Sequence, residues 1–456
     1  MSTNARLTQG PVIAALAAVS APMSFGIFAV LSIGVADAYF LGQLGGAPLA
    51  AIGFIFPVTT AFSSLAIGLS AGANAAVSQS LGRDDDPEHT RRLGLHAIGI
   101  GVALALLMAL ATWTVYPWLF RALGAEPDTM QEIRAYMPIW AMSFPFLVLM
   151  MIVNAVFRAY GSGVSSAAIM VLAAVINIGL DPLFIFGFGP IPELGTQGAA
   201  VATSIGRGVA AAVALGYAWQ QGMLSLCSNP FGGVWASTKT IFSVGLPAGF
   251  SNAINPAGMA LVTAAVATVG SAAVAGFGAG TRITSLTNVP MMALSAGIGP
   301  VVGQNWGADK PGRARTAMLQ TWAICVGYGV AVGVALALFA EPLANLITDG
   351  GEAATYTATY LRVAGWSMAG YGMVVCTNAA MNARSMAKVS MALSISRTFL
   401  LYLPLAWALV MVAGFPGIAW AVVAANVLGA AMAVWCAWYT DLFRVSAVRK
   451  LVPSTA

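Results

Sequence analysis

The sequence predicts an all-α integral membrane protein, and three observations carry that reading. The chain is 59% hydrophobic and only 8% charged, with a mean hydropathy of +0.84, whereas a typical soluble chain is about 25% charged. Apolar stretches of about 20 residues, each able to cross about 30 Å of hydrocarbon, recur along the whole length and leave no room for a soluble domain. These runs are continuously apolar rather than alternating, which excludes a transmembrane barrel.

Taken in order, the expected spans in the first half are 12–36, 48–80, 93–118, 135–157, 163–187 and 196–218. In the second half they are 241–269, 277–304, 316–340, 359–381, 391–413 and 417–440, giving twelve transmembrane helices in all. The longest central connection, about Gln220 to Thr240, contains Pro, Gly, Ser and Asn and reads as a linker. The expected division is an N-terminal six-helix lobe at 1–219, a cytoplasmic inter-lobe linker at 220–240 and a C-terminal six-helix lobe at 241–456.

An internal repeat supports the division. LSAGANAAVSQSLGRD from Leu69 and LSAGIGPVVGQNWGAD from Leu294 stand 225 positions apart and agree at eight of sixteen positions. The same offset aligns Gly45, Ala47, Ala50 and Gly53 with Gly270, Ala272, Ala275 and Gly278, and pairs Gln79 with Gln304 and Gly82 with Gly307. GTQGAAVA from Gly195 resembles GFPGIAWA from Gly414 at a slightly shorter offset. Six spans per copy insert both copies in the same orientation, so two pseudo-symmetric six-helix bundles should flank a central cleft, related by an axis along the membrane normal. Close helix packing alone would account for most of the shared Gly and Ala.

Short cytoplasmic loops collect Lys and Arg. One set of alternate connections holds Arg83, Arg91, Arg92, Arg158, Lys239, Lys310, Arg313, Arg315, Arg384 and Lys388, and the termini join it through Arg6, Arg444, Arg449 and Lys450. The opposite set holds Arg121, Arg134 and Arg362 beside Glu126, Asp128, Glu132, Glu193, Glu341, Asp349 and Glu352. Both termini are therefore expected in the cytoplasm, with the chain a multi-pass protein of the cytoplasmic (inner) membrane. The net charge of +5 follows from that topology, and no nucleic-acid partner is expected.

The first apolar run continues too far for a cleaved signal despite small residues near Ala18 to Ala21. Cys227, Cys325, Cys376 and Cys436 are isolated and give neither a disulfide nor a zinc framework. His89 and His96 lie near a loop, and no nucleophile–base pair or ATP-binding loop stands out, so no enzymatic activity and no cofactor are expected. The run RDDDPEHTRR from Arg83 reads as a solvated loop.

The acids inside apolar spans carry the function. Asp37 lies in LSIGVADAYFLGQLGGAPLAAIG and Asp181 in VINIGLDPLFIFG. A carboxylate at bilayer depth costs about 2.5–3.5 kcal/mol on insertion scales, so such residues face a protein interior or a water-filled cavity. Asn177 precedes Asp181 by one helical turn on the same face and could hydrogen-bond the carboxyl group or help hold an ion. Neither acid has a counterpart in the second copy: Asp37 pairs with Val262, and the stretch corresponding to Asp181 reads LYLPLAWAL. An ionisable pocket is thus expected in the N-terminal lobe only. Burial favours the neutral form and a second acid couples the two titrations, so the pair can load a proton; alternatively Asp37, Asn177 and Asp181 could hold sodium. The plainer alternative is that either acid caps a broken helix near Pro182 or faces the interface.

The segments ADAYFLGQLGGAPLAAIG, GLSAGANAAVSQSLGR, VINIGLDPLFIFG, GTQGAAVAT and VGLPAG, in that order along the chain, resemble the multidrug and toxic compound extrusion (MATE) transporters. The resemblance implies twelve helices in two bundles and export of organic cations or other amphiphiles against inward proton or sodium flow. In its archaeal and DinF-like members an N-lobe site uses an acid on the first helix, Asn and Asp on the fifth and Thr on the sixth; the matching positions are Asp37, Asn177, Asp181 and Thr203. The NorM pattern fits less well, because its C-lobe acid ten residues after the Gly of GLP falls on Asn255, and Leu361 to Met381 contains no acid. The expected function is a secondary antiporter working by alternating access, without partners other than lipid and a small amphiphilic or cationic substrate, and as a monomer; the alternative is a flippase for lipid-linked or polyanionic substrates. Arg282 and Arg397 face the cleft or anchor lobe packing, and Tyr39, Met259 and Met292 are candidate cavity side chains.

Overall fold

A computed structural model describes residues 6–225, 227–348 and 350–443; Arg444, Arg449, Lys450 and Asp349, which bear on the charge pattern, lie outside the described residues. Among these residues the chain is all-helical apart from one isolated bridge between Phe188 and Ile191. The first half contains α1 (Val12–Leu44), α2 (Gly46–Arg83), α3 (Pro87–Ala122), α4 (Pro127–Ala159), α5 (Gly163–Ile185) and α6 (Thr196–Gln220). The second contains α7 (Val234–Ala267), α8 (Ser271–Thr287), α9 (Val289–Gly307), α10 (Pro311–Leu338), α11 (Ala340–Ile347), α12 (Gly351–Ala364), α13 (Met368–Ala383), α14 (Ala387–Ile395), α15 (Leu403–Ala413) and α16 (Phe415–Tyr439).

Nine of these helices and the continuous run Ala387–Ala413 (α14 to α15) are long and apolar enough to cross a membrane, ten in all, and eleven if α8 and α9, bent by 43° about Asn288, form one span. The bend falls where Pro290 withdraws an N–H from the start of α9 and restricts the residue before it. Gly351–Ala383 is helical throughout but is interrupted by a 3-10 turn at Gly365–Ser367. A π-helical segment, Ser396–Tyr402, joins α14 to α15. Helices run several residues past the apolar windows; at the start of α3, Pro87 opens the helix while the Asp86 side chain accepts a hydrogen bond from the Glu88 N–H at 3.1 Å. The helix α7 starts at Val234, inside the stretch read from sequence as linker, and the connection before it is tied to α3, with His96 between Ser237 Oγ and the Pro230 carbonyl, each at 2.8 Å.

The backbone carries the repeat more plainly than the side chains. Left-handed residues recur in pairs at Gly45 and Gly270, Asp84 and Asp309, Gly161 and Ser385, Gly195 and Gly414, and Gly222 and Asp441. Each pair ends or begins corresponding helices, so the punctuation of the chain is duplicated even where the apolar residues between have diverged.

The two halves meet along α2 and α7. A methyl group on Gly68 would overlap the backbone of Gly245 and Gly249, and one on Gly72 would overlap the Ile241 carbonyl. Close backbone approach of this kind substitutes for the hydrophobic drive that is missing between helices in lipid. At the basic end of the bundle the contacts are reciprocal. Gln79 Nε2 on α2 donates to the Ala383 carbonyl at 2.6 Å, and Gln304 Nε2 on α9 donates to the Ala159 carbonyl at 2.6 Å. Gly82 packs on Gln304 and Gly307 on Gln79 with no room for a side chain.

Replacing Gly68 by Leu should force α2 and α7 apart, because the obstruction is backbone. In a cysteine-free background, a cysteine pair at Gln79 and Ser385, whose side chains meet at 3.0 Å, should crosslink readily alone and at least fivefold less in the Gly68→Leu chain; equal crosslinking would mean that the seam tolerates the side chain.

Candidate functional site

Asp37 lies in the second half of α1, a helix that packs chiefly on α5 of its own half and α9 of the other. Asn177 and Asp181 share one face of α5 and are 2% and 0% exposed. Thr203 and Arg207 share one face of α6 at the same four-residue spacing. Gly206 lets α6 approach α5 closely, since a Cβ there would stand 3.0 Å from the Ala173 carbonyl and 3.4 Å from the Asn177 Cβ. That approach sets the first polar contact: Asn177 Nδ2 donates to Thr203 Oγ1 at 3.0 Å.

The structure thus gathers Asp37, Asn177, Asp181 and Thr203 in one place. The Asp37 and Asp181 carboxyl groups are close enough to act on each other electrostatically. Asp37 Oδ1, both Asp181 oxygens and Asn177 Oδ1 are buried and receive no donor from the described residues. Ionised carboxylates only accept, so one proton placed between the two acids turns a pair of acceptors into a donor and an acceptor. The same four oxygens are the hard donors that a sodium ion would use. Left unpaired in a low-dielectric interior such oxygens are expensive.

Two further members were not picked out from sequence. Arg207 is close enough to Asp37 to act on it electrostatically; its Nη1 donates to Ser143 Oγ at 2.9 Å and its guanidinium lies 5.6 Å from the centre of the Trp140 ring. Tyr136 on α4, 5% exposed, faces Asp37, Asp181 and Arg207 and reaches Thr203. Arg207 had a legible signal, a basic residue one turn after Thr203 within an apolar span. Tyr136 had none, because nothing local distinguishes it from an interface tyrosine.

The remaining candidates divide. Arg282 is exposed on α8, and Tyr39, Met259 and Met292 are 65%, 39% and 40% exposed. Arg397 is buried in the second half, away from the acid pair. Among the described residues no group of three or more His, Cys, Asp or Glu side chains forms a metal-holding cluster.

A duplicated helical bundle with an acid pair buried in one half is the architecture of a membrane transporter, and the comparisons agree. The MatE family model matches residues 22–183 and again 247–408, more than half of the chain and at the repeat offset seen in the sequence. The chain belongs to this family of multidrug efflux transporters. It is 36% identical over 402 residues to the FAD transporter of Shewanella oneidensis, 88% of each chain, and 26% identical over 320 residues to the probable multidrug resistance protein NorM of Thermotoga maritima, 69% of this chain and 68% of that one. The bent form of the Vibrio cholerae MATE transporter VcmN superposes with a TM-score of 0.89 at 27% identity, covering 97% of this chain and 98% of the other.

Replacing Thr203 by Val keeps the shape but strips the Asn177 amide of its acceptor, a loss worth about 1–3 kcal/mol for a buried donor. Thermal unfolding in detergent should show a lowered midpoint for Thr203→Val and near-parental stability for Thr203→Ser; equal midpoints would show that the contact contributes nothing.

Proposed function

We propose that this chain is a secondary antiporter that exports an amphiphilic organic compound, with organic cations and drugs the leading class, in exchange for protons by alternating access. The observation that carries the coupling is the carboxyl pair of half-buried Asp37 and buried Asp181 with Asn177, Thr203 and Arg207 around it. The proximity of the two carboxyl groups favours a shared proton over sodium, which remains the alternative ion for Asp37, Asn177 and Asp181. Coupling then resides in the N-terminal lobe, closer to the DinF-like and archaeal pattern than to the NorM one, and the lack of an acid in the spans of the second half supports that assignment.

In this reading Gly351–Ala383 and the bent α8–α9 each count as one span, giving twelve in two pseudo-symmetric lobes, 1–219 and 241–456, joined by 220–240. Both termini face the cytoplasm of the inner membrane, the chain acts as a monomer without a cofactor, and it does no covalent chemistry. With the pair ionised the pocket requires water or a cation; with a proton shared it can close dry, and the two packings bias the lobes toward opposite faces of the membrane. One charge crossing the membrane potential supplies about 2.3 kcal/mol per 100 mV, enough to drive concentration of cargo. The reciprocal glutamine contacts at the basic end would close the cytoplasmic side while the opposite side is open.

A second reading of the cargo, an anionic flavin dinucleotide, is favoured by the 36% identity to the Shewanella FAD transporter across 88% of both chains.

Proteoliposomes loaded with a fluorescent cation and given a proton or a sodium gradient separately should show efflux on the proton gradient, reduced at least tenfold by Asp37→Asn. Retained proton-driven efflux in that variant would sink N-lobe coupling, and efflux on sodium alone would reassign the pocket to a metal ion.

A further inference from the structure

The second half of the chain contains a buried cation with no acid to balance it. Arg397, 7% exposed, sits in the π-helical segment Ser396–Tyr402, a type of irregularity that is frequent at functional sites. Its Nε donates to Asn426 Oδ1 at 2.9 Å and its Nη1 to Asn255 Oδ1 at 3.2 Å. The guanidinium carbon is 5.4 Å from the centre of the Tyr371 ring, and the aliphatic stem packs on Gly429. Every one of these partners is neutral. The ion pairs among the described residues, Arg83 with Asp85 and Arg362 with Glu341, lie at the helix ends.

Two hydroxyls on the same π segment are buried and unpartnered, Thr398 Oγ1 and Tyr402 OH, on residues 2% and 4% exposed. Tyr402 is near enough to Arg397 to interact with it electrostatically. Nη2 of Arg397 donates to none of the described residues. A planar cationic fork, the Tyr402 hydroxyl and an aromatic face therefore lie together, with neutral amides holding the fork in place and the Thr398 hydroxyl on the next residue of the same segment.

The repeat gives this cluster its meaning. The helix made of α14, the π segment and α15 is fifth in the second copy, as α5 is in the first, and α16 is sixth, as α6 is. Asn426 follows Arg207 by the same offset that separates Gly195 from Gly414. Where the first copy puts Asn177 and Asp181 on the fifth helix and Arg207 on the sixth, the second puts Arg397 on the fifth and Asn426 on the sixth. The first lobe sets two carboxyl groups beside an arginine, whereas the second sets an arginine among neutral amides. A buried charge without a partner is costly, and an arginine fork matches phosphate oxygens bidentately while a lysine does not.

We propose that Arg397, with Thr398, Tyr402, Tyr371, Asn255 and Asn426, is a substrate-binding site for the phosphate-bearing part of an aromatic cargo of the flavin dinucleotide class. The guanidinium pairs with a phosphoryl oxygen, the hydroxyls donate to the others, and the Tyr371 face receives a flat ring. Cargo and coupling ion then occupy different lobes, so an anion in one and a proton in the other are handled by separate groups. This rests on and deepens the second reading of the cargo above, the flavin dinucleotide, and a phosphate could also arrive on a lipid headgroup.

The test is binding, which needs no ion gradient and so fails or succeeds independently of N-lobe coupling. The purified full chain, in nanodiscs of zwitterionic lipid, is titrated with FAD and with riboflavin, which keeps the ring and lacks the phosphates. The parent chain should bind FAD at least tenfold more tightly than riboflavin, Arg397→Gln should erase that preference, and Arg397→Lys should keep the fold and restore it only in part. Tyr402→Phe, which removes one hydroxyl, should weaken FAD about threefold and leave riboflavin unchanged. Equal affinity of the parent for both flavins, or an unchanged preference in Arg397→Gln or, should that variant not fold, in Arg397→Lys, overturns the site. Anionic phosphatidylglycerol added to the nanodiscs should leave FAD affinity within twofold; displacement of FAD by it would assign the phosphate to lipid and overturn the cargo.

Discussion

Charge in hydrocarbon is the constraint on which this structure depends. Each ionisable group at membrane depth must be walled off by protein, and each must have something to bind. Asp37 and Asp181 meet that demand by facing each other across α1 and α5, with Asn177, Thr203, Tyr136 and Arg207 arranged around them. Gly206 makes the arrangement possible by letting α6 lie against α5. The polar cluster and the small residues behind it are one device, since a larger residue at the crossing would separate the partners.

The same economy governs how the halves join. Contact between α2 and α7 runs over Gly68, Gly72, Gly245 and Gly249, which offer backbone instead of side chains. Packing of this kind is tight yet carries few interlocked side chains. At the basic end, the reciprocal bonds of Gln79 to the Ala383 carbonyl and Gln304 to the Ala159 carbonyl satisfy the exposed ends of α13 and α4 from the opposite half. One pair of residues, duplicated with the gene segment, closes that end twice.

Duplication also makes the differences informative. The paired left-handed residues show that the helix boundaries of the two copies are still shared. Against that common frame the copies diverge in charge, with carboxyl groups in one and an arginine among amides in the other. The copies diverge in straightness as well: α2 is a continuous helix, whereas its counterpart bends at Asn288, and the fifth helix of the second copy passes through a π segment.

Sequence by itself determined the class, the helices and the repeat, because all three rest on one-dimensional signals: continuous apolar runs, the Lys and Arg bias of alternate loops, and a 225-residue self-match. It also named Asp37, Asn177, Asp181 and Thr203, since an acid inside an apolar span is conspicuous and the resemblance to a transporter family supplied the threonine. Only the tertiary structure decided what surrounds them. Tyr136 enters from α4 and carries no local mark, and Arg207 becomes meaningful once α6 is laid against α5. The sequence left Arg397 between cleft lining and lobe packing; its neutral partners Asn255 and Asn426 come from α7 and α16, far away along the chain, so the missing counter-charge could be seen only after folding. The bend at Asn288 and the 3-10 turn at Gly365–Ser367 escaped for a related reason, as apolar periodicity reports that a stretch is buried in lipid and says little about where its hydrogen-bond ladder breaks.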